Sequence, residues 1–130
     1  MGKLLVIEDD ENLRESMVAL LSAFGHEVIQ AKDGLEGLMI YRIMSDDIAL
    51  TIMDMEMPKM DGSAATRVIK EVKPSAKIIL MTERSEQSPS DLKPDGFLYK
   101  PFKSQHLRKT VEEVLKLGEN ANGVASAENG

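Results

Sequence analysis

The chain is 130 residues long, carries 22 acidic against 16 basic side chains for a net charge of −6, and contains no cysteine. That length makes one domain rather than two, and an apolar fraction of 42% with 29% charged residues fits a soluble globule with a real core, not a disordered or fibrous chain. Acidic charge without a basic cluster argues against direct nucleic-acid binding, absent cysteine removes disulfides and thiolate metal sites and suits the cytoplasm, and nothing resembles a signal peptide or the ~18 apolar residues of a membrane span.

Short apolar runs alternate with segments of helical period, the pattern of stacked βα units. Leu4 to Ile7 is the first strand, and Leu13, Met17, Leu20, Leu21 and Phe24 mark the helix after it, stopped by Gly25 in a left-handed cap. Val28 to Ala31 is the second strand, followed after Asp33-Gly34 by a helix carrying Leu35, Leu38 and Met39. Ala49 to Met53 is the third, and Ala65, Val68, Ile69 and Val72 mark a helix that Pro74 terminates. Ile78 to Met81 and Phe97 to Tyr99 complete five strands; the stretch ERSEQSPSDLKPDG between them holds two prolines and little apolar stripe, so at most one helical turn is expected there. Ser104 is placed to N-cap a last helix with buried Leu107, Val111, Val114 and Leu115 and a stop at Gly118. The domain is thus expected over 1–118, with 119–130 a loose polar tail that cannot recover its ordering entropy.

Five such strands with right-handed crossovers give a doubly wound parallel sheet, most simply of order 2-1-3-4-5. Ligands in such sheets bind beyond the carboxyl ends of the strands, where the winding reverses between strands one and three. Glu8, Asp9 and Asp10 follow strand one and Asp54 ends strand three, so carboxylates gather on one rim. A hard divalent cation such as Mg²⁺ relieves their repulsion. Thr82 and Lys100 end strands four and five on the same edge. A carboxylate attacking phosphorus needs charge neutralised by metal, a hydroxyl donor and a second cation; Asp54, Thr82 and Lys100 suit those roles.

The motifs VIEDD, IMDMEMPKMDG, ILMT and YKPF, in that order at four strand ends, resemble the receiver domain of two-component response regulators over residues 3 to 117. The resemblance implies a flavodoxin-like fold and phosphorylation of Asp54 by a histidine kinase or histidine phosphotransfer protein. It implies a domain that catalyses its own aspartyl phosphorylation and dephosphorylation with Mg²⁺ but serves chiefly as a switch controlling a partner. Asp9 and Asp10 match the family's metal-holding acidic pair, with Asp54 and the backbone carbonyl of Glu56 completing the shell. Thr82 matches the switch hydroxyl, Lys100 the phosphate-pairing lysine, Pro101 a residue often joined by a cis bond, and Phe97 the switch aromatic. Only 18 positions separate Thr82 from Lys100, so the fourth helix of the family pattern is expected to be shortened or missing, similar to receivers attached to hybrid sensor kinases.

Other functions are less well supplied. Met53, Met55, Met57 and Met60 could be read as a thioether site for Cu(I), but packing accounts for them better. His26 and His106 lack a second histidine at ligand spacing. A flavin carrier would share the sheet order, yet no hydroxyl-rich phosphate loop follows strand one and the chain has no tryptophan. A binding module that signals without phosphate would not require the acids, Thr82 and Lys100 together.

Overall fold

The computed structural model describes residues 2–83 and 94–122. Five parallel strands, β1 (Lys3–Ile7), β2 (Val28–Ala31), β3 (Ile48–Asp54), β4 (Ile78–Thr82) and β5 (Gly96–Tyr99), form one sheet in the order β2-β1-β3-β4-β5, the order expected from the sequence. Among the described residues there are four α-helices, α1 (Glu11–Ala23), α2 (Gly34–Met44), α3 (Gly62–Val72) and α4 (Ser104–Asn122), and a 3₁₀ turn at Ser45–Asp47.

Alternation along the strands divides the core in two. Leu5, Ile7, Met53 and Leu80 face α2 and α3, where Leu38, Tyr41, Ala65 and Ile69 meet them. Leu4, Val6, Ile52 and Met81 face the opposite layer, against Met17 and Leu21 of α1 and Leu107, Val111 and Val114 of α4. Strands covered on both faces must be apolar throughout, which is why these runs are continuous and not alternating. Arg108 of α4 lies 4.9 Å over the ring of Phe24, joining the two helices of one layer.

Three local expectations change. α2 turns Gly34, Gly37, Leu38 and Tyr41 inward, because Gly37 lets the helix come so close to β1 that a Cβ there would run into Ile7. That contact turns Leu35 and Met39 outward to solvent, so only Leu38 of the expected stripe is buried. Ser104 is the first residue of α4 and not its cap; the first turn instead closes on the carbonyl of Lys103. Gly118 does not stop α4, which runs on to Asn122; a glycine weakens a helix by about 1 kcal/mol but ends it only when it leaves helical geometry. Gly25, in contrast, follows α1 with φ +98° as expected. The expected shortened or missing helix before β5 falls on residues 84–93, and the rest of the expected tail on 123–130, both outside the described residues.

Candidate functional site

Register brings the site together. Ile7 is paired with Met53 and Asp54 with Met81, so the residue after β1 and the last residue of β3 stand side by side at the carboxyl edge. Thr82 and Tyr99 are paired on the other side, which puts Lys100 next to the end of β4; the Lys100 N–H donates to the Thr82 carbonyl at 2.8 Å. Asp54 is held from below by α3: a Cβ on Gly62 would overlap the Asp54 carbonyl and the Met55 backbone, so only glycine lets the helix start this close.

Glu8, Asp54 and Thr82 are all buried. Carboxylate oxygens of Glu8, Asp9 and Asp54 lie within 4.8 Å of one another, with Asp9 exposed. The Lys100 ammonium bridges the two buried acids, donating to Oε1 of Glu8 at 2.9 Å and to Oδ2 of Asp54 at 3.0 Å. The other Asp54 oxygen accepts the Glu56 N–H at 3.1 Å, and the Glu56 side chain is exposed.

Burial is the largest influence on Glu8, raising its pKa to about 7 from 4.5, and the Asp54 charge adds to it; the Asp10 N–H and Lys100 act in the other direction. For Lys100, burial works to lower the pKa, but its hydrogen bonds to Glu8 and Asp54 outweigh that and raise it. The ammonium therefore stays charged between the two carboxylates.

One expected residue is displaced. Asp10 is not in the acidic cluster: its Oδ1 accepts the Leu13 N–H at 3.1 Å and caps α1. The acids that gather with Asp54 are Glu8 and Asp9, where Asp9 and Asp10 were expected. The signal was present, since an aspartate directly before a helical period is in the N-cap position. Arg14 is an addition that sequence reasoning missed. Its guanidinium donates to the Glu8 carbonyl at 2.8 Å and to Gln30 at 3.0 Å, anchoring the backbone that carries Glu8; a lone arginine on a helix gives no sign of this.

The remaining expected residues fall as follows. Pro101 follows a cis peptide. Phe97 is half-buried against the core layer of α2 and α3 and stacks on Tyr99, ring centroids 6.0 Å apart. Met53 is fully buried in β3, while Met55, Met57 and Met60 pack against the same core layer, filling space between the loop and the helices.

A set of carboxylates, a half-buried lysine and a strand-end hydroxyl on one sheet edge agrees with what known proteins show. Residues 4–112 match the family model of the response regulator receiver domain. The chain belongs to that family. It is 32% identical over 117 residues to the sensor kinase CckA of Brucella abortus (strain 2308), covering 86% of this chain and 12% of that protein. The crystal structure of a response regulator receiver domain protein from Clostridium thermocellum superposes with a TM-score of 0.86 at 28% identity, covering 93% of this chain and 99% of that one. The response regulator TrrA from Thermotoga maritima, solved in complex with Mg²⁺-BeF, gives 0.75 at 32% identity, covering 88% and 99%. The chain spans about half or less of the length of the first curated relatives it matches. No helix among the described residues is long and apolar enough to cross a membrane.

Proposed function

We propose that this receiver domain accepts a phosphoryl group on Asp54 from the phosphohistidine of a histidine kinase or histidine phosphotransfer protein, and switches conformation to control a partner. The observation that carries this reading is the Lys100 ammonium held at 2.9 and 3.0 Å between Glu8 and Asp54, beside Thr82 on the adjacent strand. A hard cation fits the same corner, since the donors gathered there are all carboxylate oxygens. Glu8, Asp9, Asp54 and the backbone carbonyl of Glu56 would hold Mg²⁺, which when bound supplies charge neutralisation for the attacking carboxylate and the phosphoryl oxygens.

An oxygen of Asp54 attacks phosphorus, a P–O bond forms as the P–N bond to the donor imidazole breaks, and the imidazole leaves with the bonding pair. Lys100 then pairs with a phosphoryl oxygen in place of a carboxylate, and the Thr82 hydroxyl donates to another. Hydrolysis reverses the state: water attacks phosphorus, inorganic phosphate leaves and the Asp54 carboxylate returns. Drawing Thr82 toward the phosphoryl group vacates space that Phe97 would enter by packing alone, since it has no phenolic hydroxyl. We place this exchange in the cytoplasm, with the kinase partner.

Incubation with acetyl phosphate and Mg²⁺ should add ~80 Da to the intact chain by this nucleophilic chemistry, and Asp54→Asn should abolish the addition. An unmodified wild-type chain, or full labelling of Asp54→Asn, would overturn the reading.

A further inference from the structure

α2 buries its glycine-containing face, and that leaves a second face bare. Leu35, Met39 and Ile43 are 46%, 66% and 81% exposed. They recur every fourth residue, so they form a single ridge along the helix. A scattered exposed leucine is ordinary, but three large apolar side chains in one row make a patch that calls for a partner.

The charges at the two ends of the ridge say which partner. Lys32, exposed, stands just before α2; Asp46 and Asp47, both exposed, stand in the 3₁₀ turn just after it. Among the described residues no ion pair involves any of these three. Lys32 lies seven residues before Met39 and Asp46 seven residues after, so the basic and acidic ends are at nearly equal distances from the middle of the ridge.

We propose that α2 is the surface on which two copies of this chain pair, antiparallel, about a two-fold axis at Met39. An interface of that symmetry must be complementary to itself. Here the antiparallel arrangement sets Leu35 of one copy beside Ile43 of the other, and Lys32 of one against Asp46 and Asp47 of the other, twice over. It also opposes the two helix dipoles favourably. A parallel arrangement would bring lysine against lysine and aspartate against aspartate. With one helix per copy the contact falls below the standard interface size, so the association is weak and concentration-dependent.

Sedimentation velocity on the 130-residue chain tests this, at concentrations up to about 1 mM. The expected result is a monomer–dimer equilibrium that Ile43→Glu shifts to monomer while the far-ultraviolet circular dichroism stays unchanged, the side chain being exposed. Lys32→Glu alone, and Asp46→Lys with Asp47→Lys, should each weaken association about tenfold or more, because both ends then carry like charges. Mixing those two variants in equal amounts should restore the dimer, since every end contact becomes opposite again. A chain monomeric at all concentrations, a dimer indifferent to Ile43→Glu, or a mixture that fails to associate would each overturn the proposal, as would a ridge occupied only by a different protein.

Discussion

Lys100 and Asp54 are 46 positions apart in the sequence, on strands with β4 between them, and their side chains meet at 3.0 Å. The same ammonium also reaches Glu8 at 2.9 Å, so one cation neutralises two buried carboxylates. Lys100 is therefore a structural counter-ion in this state, apart from the phosphate-pairing role proposed for it.

Lys100→Met should lower stability by about 3 kcal/mol at pH 8 without divalent ions, because it leaves two buried acids facing each other. The loss should shrink as pH falls. Glu8 has a folded-state pKa raised to about 7 from 4.5, so its contribution favours the fold fully below about 4.5 and is lost as pH rises through about 7. Urea denaturation of both proteins at pH 5 and pH 8 measures the difference, and an equal loss at both would contradict it.

Magnesium should compete with the Glu8 proton. Thermal stabilisation by Mg²⁺ should be present at pH 8, and its apparent affinity should fall by up to tenfold per unit below about pH 7. Glu8→Gln and Asp9→Asn should each remove most of the stabilisation. Asp10→Ala should cost about 1 kcal/mol as a lost helix cap yet keep the Mg²⁺ shift. Scanning calorimetry with and without Mg²⁺ separates these outcomes, and a shift lost only in Asp10→Ala would restore Asp10 as the ligand.

Asp33 caps α2 through the Glu36 N–H at 2.8 Å and lies 3.5 Å from the Lys59 ammonium. The Glu36 hydrogen bond is the main cause of a pKa held below the ordinary 3.8. Its stabilisation is thus complete above about pH 4 and lost as pH falls through the depressed value. Asp33→Ala should cost about 1 kcal/mol at pH 7 and progressively less in acid, as read from denaturation midpoints.

Gly37→Ala should destabilise by about 1–3 kcal/mol, the range for overpacking a close contact, because the added carbon meets Ile7. The double variant with Ile7→Val should recover part of that loss, since Ile7 supplies the clash.

The sheet order and the edge carrying the site were readable in the sequence because buried parallel strands are uninterrupted apolar runs, and each of Ile7, Met53, Met81 and Tyr99 is followed at once by a polar or charged residue. Which acids gather with Asp54 was harder. Glu8, Asp9 and Asp10 are consecutive, and only the helix start at Glu11 assigns Asp10 to the cap. α2 was misread for a different reason: apolar residues occupy both its faces, so periodicity alone could not choose between Leu38 with Tyr41 and Leu35 with Met39. The close approach at Gly37 decides it. Arg14 and its bond to the Glu8 carbonyl depend on β1 and α1 meeting in space, which no local pattern reports.

The most direct test is to locate the acyl phosphate. Phosphorylated chain, reduced with borohydride and digested, should yield one modified peptide, containing residue 54 converted from aspartate to homoserine, and only when Mg²⁺ was present during labelling. Homoserine at Asp9, Asp10 or Asp33 instead, or labelling that proceeds equally without Mg²⁺, would contradict the assignment.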